Sequence, residues 1–369
     1  MKKHFYYQIG ALFLVFLFLG CPLPESETKS DHLTVISWNV QNLFDGKDDG
    51  FEYTDFQTGS GWNREKYKAR LEKITAAFKG ENGIKADIMA LVEVENRGVI
   101  RDLADKTFLD YPWSFFAGNE NNSVGLGVLS ILPITETRVH SIHSGDGSIP
   151  RPVAEVWVDT GEGPLVLLVC HWKSKLEGDE KTESTRRFAA ALIARRLAEI
   201  DAEKPGTPVI ILGDLNENYD EFNRIGFAYP CALLPDSAEA AELLQKFPAA
   251  VRPEFQDFLV LSGKKPPELH HVNSCGGLVY SPWYELEEQT PEDKPLGSYY
   301  YKGDWETIDH FLLNSALFRD NALSYKCFWV MSEPPFTNAA GRPDTYNPRT
   351  GNGFSDHLPI VLVLNKSGY

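Results

Sequence analysis

Short apolar runs alternate along this chain with stretches of helical period. Runs at residues 33–37, 88–92, 127–132, 154–158, 165–169, 209–212, 307–313 and 360–364 read as strands. From Asn63 onward, Tyr67, Leu71, Ile74 and Phe78 step by four, three and four, one face of an amphipathic helix. Ala189, Leu192, Ile193, Leu197 and Ile200 form a second such stripe, and Arg186, Arg187 and Arg195 read as falling off it. Pro205-Gly206 ends that helical stretch before the next strand. The alternation predicts an α/β protein. Residues 217–304 differ, being rich in Pro, Gly and aromatics with one helical patch at 238–246, and read as a long insertion over a single domain spanning 33–365.

Polar residues of particular chemistry stand at the ends of these runs: Asn39, Glu93, the Gly213-Asp214-Leu215-Asn216 segment and Ser355-Asp356-His357. Strands that end alike bring their loops together, and loops at strand ends are where α/β folds place chemistry. Asp214 and Asn216 lie two apart, which on an extended segment aims both side chains the same way.

The chain has 369 residues, 43% hydrophobic and 24% charged, an ordinary globular composition. Its net charge is −16. Residues 1–20 carry only Lys2 and Lys3 as charges; without them 34 basic residues oppose 52 acidic ones, or −18. Such a balance disfavours loose wrapping of nucleic acid, whose affinity comes mostly from Lys and Arg. Locally held, metal-assisted phosphate chemistry is still compatible with it. Lys2-Lys3 followed by an apolar stretch at 5–19, shorter than the roughly 20 residues of a membrane helix, reads as a signal peptide over 1–20. Leu19-Gly20-Cys21 resembles the lipobox of bacterial lipoproteins, which implies lipidation at Cys21, a tether over 21–32 and an exported, membrane-anchored product on the periplasmic or cell-surface side. Of the other cysteines, Cys170 lies in an apolar run and reads as a buried thiol, while Cys231 and Cys275 bracket a Pro- and Gly-rich region and are the candidate disulfide. No cysteine spacing matches a zinc site.

The polar groups suit hydrolysis of a phosphodiester, which needs its charge screened, a water oriented in line and the leaving oxygen stabilised. Glu93 and Asp356 are the natural ligands for Mg²⁺, with Mn²⁺ as substitute, and Asn39 is a neutral oxygen donor or a phosphate orienter. His171 and His357 can exchange protons near neutral pH, Asp309 can hold one imidazole in the right tautomer, and Asp214 with Asn216 suits orienting a water. Which histidine is acid and which is base is open at this stage. Taken singly, each motif is also an ordinary turn or surface feature.

In their order, the segments Ser37-Trp38-Asn39-Val40, Leu91-Val92-Glu93-Val94, Gly213-Asp214-Leu215-Asn216, Ile308-Asp309-His310 and Ser355-Asp356-His357-Leu358-Pro359 resemble the endonuclease/exonuclease/phosphatase superfamily over residues 33–364. The resemblance implies a four-layer α/β sandwich of two packed mixed sheets flanked by helices, with the site at one edge. It also implies that Asn39, Glu93 and Asp356 belong to the metal side and that Asp214 and Asn216 orient the nucleophile. By the same resemblance His357 is catalytic, oriented by Asp309, and His171 contacts the scissile phosphate. Gln41 departs from the pattern, standing where some members carry a further carboxylate, and this leaves a second metal open.

His171-Trp172-Lys173-Ser174-Lys175, with Arg186 downstream, is similar to a stretch of secreted bacterial nucleases in that superfamily. Lys173, Lys175 and Arg186 are accordingly expected to engage phosphates. The expected activity is that of a monomeric, exported Mg²⁺-dependent nuclease. A phosphatase or sphingomyelinase-like phospholipase acting on a lipid or small phosphoester, and a non-catalytic surface-binding lipoprotein, are the alternatives.

Overall fold

Two mixed β-sheets carry the architecture, and each grows from the apolar runs. The computed structural model describes residues 31–366 apart from 80–82, 119–121, 145–146, 247–250, 253–254, 269–276, 293 and 320–321. The expected signal peptide, Cys21, tether residues 22–30 and Cys275 lie outside the described residues. Among the described residues no helix is long and apolar enough to cross a membrane.

The first sheet has six strands in the order Leu323–Val330, Ile360–Lys366, His32–Leu43, Ile88–Val94, Gly125–Ser130, Trp113–Ala117. Only His32–Leu43 and Ile88–Val94 pair in parallel there. The second sheet has eight, in the order Ile134–Ser144, Gly147–Asp159, Pro164–His171, Val209–Asp214, Asp309–Leu313, Leu278–Tyr280, Leu259–Ser262, Leu233–Pro235.

Alternation along the strands assigns the layers. Val35, Ala90 and Val92 face inward and share one buried cluster with Leu168 and Ile211 of the second sheet. Ile36, Trp38 and Leu91 face outward and pack with Leu71, Ile74 and Phe78 of the helix Arg64–Lys79. The helix Asp179–Glu203 adds Ala189, Ile193 and Ile200 to the inner cluster, so the strands beneath it are buried on both faces and read as continuous apolar runs. The expected four-layer α/β sandwich is the observed fold.

Three features were not visible in the pattern. The helix Arg97–Ala104 and the strands Trp113–Ala117, Ile134–Ser144 and Leu323–Val330 went unread; all three strands sit at sheet edges, where one face stays wet and the apolar signal weakens. Residues 217–304 are built into the second sheet through three short strands at 233–235, 259–262 and 278–280, and carry the helix Ala238–Lys246. Cys231 is a free buried thiol, like Cys170, and Cys327 is the cysteine engaged in a disulfide, which corrects the expected pairing of Cys231 with Cys275.

Candidate active site

The second sheet sets three of the expected side chains in a row. His171 ends one strand, Asp214 ends the next, and Asp309 begins the third; the register places His171 beside Asp214 and Asp214 beside Asp309. The first sheet contributes Asn39, in register with Val92. Asp356 and His357 precede the strand Ile360–Lys366, which runs antiparallel to His32–Leu43. A segment ahead of its strand thus reaches the same edge as segments that follow theirs.

Two local departures from regular strand aim the groups. Val92 faces inward, so Glu93 in a regular strand would face outward; instead it has φ +66° at a register shift, and its side chain turns to the inner edge. Its carboxylate there accepts from Asn39 Nδ2 at 3.2 Å and from the Asn42 N–H at 2.9 Å. Gly213 has φ +122°, and a Cβ there would stand 2.1 Å from the Cys170 carbonyl, so only glycine lets the two strands close in ahead of Asp214.

Asp214 is the hub. Its Oδ2 accepts from Asn39 Nδ2 at 3.0 Å and lies 3.6 Å from His171 Nε2 and 3.9 Å from His357 Nε2. His171 Nε2 is also 3.8 Å from Glu93 Oε1. His357 Nδ1 pairs with Asp309 Oδ2 at 2.8 Å, and the Ser298 hydroxyl donates to the same oxygen at 2.6 Å. Asn216 does not share the direction of Asp214. It sits at φ +51°, which breaks the strand alternation; its N–H donates to Asp214 Oδ1 at 2.9 Å and its side-chain amide to the Trp172 carbonyl at 3.2 Å.

Burial and crowding of acids set the electrostatics. Burial pushes Asp214 up to about 7, with Asp309 and Glu93 adding to the rise against His357. Glu93 is raised by burial and then by the charge of Asp356. His171 falls well below the usual imidazole range through burial and the nearby Arg151. Burial acts the same way on His357, but the carboxylates of Asp309, Asp356 and Asp214 outweigh it and hold this imidazole well above that range. Two histidines of one site are thus shifted in opposite directions.

A family profile described as the endonuclease/exonuclease/phosphatase family matches residues 34–224, more than half of the chain. The chain belongs to the endonuclease/exonuclease/phosphatase family. Members of this family hydrolyse phosphoester bonds, typically with a divalent cation. A truncated TDP2 from Caenorhabditis elegans is 16% identical, with 90% of this chain and 98% of that one covered at a TM-score of 0.51. The human nocturnin catalytic domain is 14% identical, covering 91% and 94% at 0.49. An endonuclease/exonuclease/phosphatase family protein from Bacteroides thetaiotaomicron is likewise 14% identical, covering 90% and 94% at 0.49. At such identity the likeness to the TDP2 structure is one of fold. No curated protein matches the sequence.

The donor set fits the cation that this family uses. Glu93 and Asp356 offer hard carboxylate oxygens, and the rise imposed on Glu93 by Asp356 is excess negative charge that a cation between them would neutralise. Asn39 is arranged differently from the expected ligand. Its Oδ1 accepts from the Gln41 N–H at 2.9 Å, which turns its NH₂ toward Glu93 and Asp214 and makes it a donor that aligns the carboxylates. Gln41 itself clamps the far segment, accepting on Oε1 from the N–H groups of Asp356 at 3.1 Å and Tyr346 at 2.8 Å. In a further acidic group, Asp49, Glu52 and Glu95, the two oxygens of Glu52 accept from the Asp49 and Gly50 N–H groups and Glu95 Oε2 accepts from the Asp45 N–H, contacts that fold the loop after the first strand.

Arg186 is the main correction. Arg186 is fully buried, donating to Glu183 Oε2 at 2.5 Å and to Glu217 Oε2 at 3.2 Å, and cannot reach a phosphate in this structure. Residues 186, 189, 193, 197 and 200 share helical spacing, so Arg186 lies on the apolar stripe, not off it. Its role is to anchor the turn behind Asp214 from the far side of the sheet. Replacing Arg186 with Met leaves Glu183 and Glu217 buried without their counter-charge, and is expected to lower stability by about 3–5 kcal/mol, read as a fall in the urea midpoint. Lys173 is paired with Glu177, and Lys175 with Glu221 at 2.5 Å and Glu306 at 3.9 Å.

Sequence reasoning missed two arginines. Arg151 donates to the Trp172 carbonyl and bears electrostatically on Glu93 and His171. It lies three residues before the expected strand start, between Pro150 and Pro152 in the first half of the strand Gly147–Asp159, where the sequence carries no helical or alternating signal. Arg70 is buried and donates to the carbonyls of Val40, Gln41 and Asn42, holding the turn that follows Asn39. The signal for Arg70 was available: an arginine three residues after Tyr67, on the buried helix face.

Proposed function

We propose that this chain is an exported, divalent-cation-dependent phosphodiesterase whose substrate is nucleic acid. The observation that carries the catalytic part is the hub at Asp214 Oδ2, with Asn39, His171 and His357 around one carboxylate oxygen and Glu93 beside it. A cation held by Glu93 and Asp356 would supply Lewis-acid polarisation of a phosphate oxygen. Asp214, aligned by the Asn39 amide and the Asn216 N–H, is the acceptor for the proton of an attacking water. His357 is locked by Asp309 with Nε2 toward the hub, so it acts as a charged donor to the developing phosphate oxygens, and the base role falls to Asp214 and not to either histidine. His171, with Nε2 beside both Asp214 and Glu93, would contact the same phosphate. Arg151 supports a polyanionic substrate in place of the lysines, which are engaged elsewhere. Export and lipid anchoring are supported by Lys2-Lys3, the apolar stretch at 5–19 and Cys21.

A panel of plasmid DNA, RNA, single-stranded oligonucleotide, sphingomyelin and simple phosphomonoesters, run with Mg²⁺ or Mn²⁺ and with EDTA, tests the assignment. Cation-dependent release of shortened strands is the expected result. Release of phosphocholine or inorganic phosphate with nucleic acids left intact would replace it with the phospholipase or phosphatase reading, and no turnover at all would favour a binding protein.

A further inference from the structure

A hairpin of three tyrosines stands over the site. Its strands, Tyr299–Tyr301 and Asp304–Glu306, pair antiparallel, and the turn between them uses positive φ at Lys302 (+49°) and Gly303 (+109°). It is tied to the catalytic pair at its base: the Ser298 hydroxyl donates to Asp309, the Ser298 carbonyl accepts from the Leu358 N–H at 2.7 Å, and Tyr299 forms a β-bridge with His357. Alternation gives the hairpin two faces. On one, Tyr300 meets the Trp305 ring edge-on at 5.4 Å and takes the Arg342 guanidinium over its face at 4.2 Å, which locks the hairpin to its surroundings. On the other, the rings run outward from the reaction centre as a ladder. Tyr299 stacks on the His357 imidazole at 4.5 Å and 27°, and Tyr301 lies nearly parallel to Tyr299 at 6.0 Å and 17°. Beyond it stands the exposed side chain of Lys302, its ammonium 4.9 Å from the Tyr301 ring centre.

We propose that Tyr301 is the stacking platform for an unpaired nucleobase one or two nucleotides from the scissile phosphate, with Lys302 as a displaceable cap; this rests on the nuclease reading above. Three observations point to a ring ligand. The basic groups expected to track a backbone are spent on Glu177, Glu221, Glu306, Glu183 and Glu217, so phosphate contacts beyond the scissile one are few. The chain is strongly acidic, which penalises substrates held by charge alone. The ladder also begins on a catalytic imidazole, and its two steps of 4.5 and 6.0 Å put a ring added at its outer end a nucleotide or two along the strand from the phosphate. Stacking needs no sequence information, and it excludes a base already paired and stacked in a duplex.

The test compares the full-length wild type with Tyr301→Ala and Tyr301→Phe on two oligonucleotides of equal length and charge, one all-thymine and one carrying abasic sites. Binding is read by fluorescence anisotropy in EDTA, and hydrolysis by KM with Mg²⁺. Tyr301→Ala and base removal are each expected to weaken binding and raise KM about tenfold, the size of one base–aromatic stack, and Tyr301→Phe to restore wild-type values. Since both changes remove the same contact, their effects should not add. Equal affinity of wild type and Tyr301→Ala for the all-thymine strand, or additive losses, would overturn the platform while leaving a nuclease that cleaves both strands intact. Base-dependent binding without cleavage would retain the platform and remove the nuclease. No binding and no cleavage would overturn both, as would a Tyr301→Ala loss confined to phosphatidylcholine vesicles.

Discussion

Glu93→Gln is expected to cost roughly a thousandfold in kcat/KM on a single-stranded oligonucleotide, with the fold intact. Lewis-acid polarisation is worth several kcal/mol of transition-state stabilisation, and each 1.4 kcal/mol or so is tenfold in rate. The substitution keeps the volume but only one acceptor oxygen, so of the two bonds that Glu93 accepts, from the Asn39 amide on Oε1 and from the Asn42 N–H on Oε2, one is kept and the other is lost. The fold should tolerate it well, because the native carboxylate is buried and further raised by Asp356, and neutralising it relieves that repulsion. An unchanged or raised thermal midpoint together with the loss of rate would separate a functional effect from unfolding. A variant with wild-type rate would remove Glu93 from the cation site.

Asp309→Asn is expected to reduce kcat by roughly 10²- to 10⁴-fold with KM less affected, in the range of a misoriented proton-transfer group. Asp309 Oδ2 receives both His357 Nδ1 and the Ser298 hydroxyl, so it fixes the ring plane and leaves Nε2 facing Asp214. An amide at this position presents either an oxygen, which holds the ring but not its charge, or an NH₂ group, which opposes the imidazole N–H. Both outcomes weaken the charged form that the three surrounding carboxylates now favour. Chemical-shift titration of the His357 ring would follow the change directly. A parallel loss in KM alone, with kcat preserved, would assign Asp309 to substrate binding.

The buried strands and the residues at their tips were legible in the sequence because burial on both faces makes a strand continuous and apolar, as in 165–169 and 209–212. Edge strands such as Ile134–Ser144 carry no such signal, and three-residue strands such as Leu233–Pro235 are too short to show one. The aim of a side chain was less legible than its place. Glu93 reaches the inner edge only through a left-handed bulge, and Asn216 turns away from Asp214 for the same kind of reason. Charge was read least well. The resemblance to secreted nucleases points Arg186 at a phosphate, yet its spacing with Ala189 and Ile193 places it in the core, where Glu183 and Glu217 meet it. Tyr299 could be seen as aromatic, but its stacking on His357 depends on a hairpin whose base is joined to a segment nearly sixty residues away.

The most direct measurement is hydrolysis of a single-stranded oligonucleotide by wild-type protein and Glu93→Gln, first after chelation with EDTA and then after excess Mg²⁺ is restored. Wild-type activity should vanish with chelation and return with the cation, while Glu93→Gln should return almost none of it. Hydrolysis that persists through chelation, or a Glu93→Gln protein that recovers alongside the wild type, would contradict a cation-centred site built on Glu93.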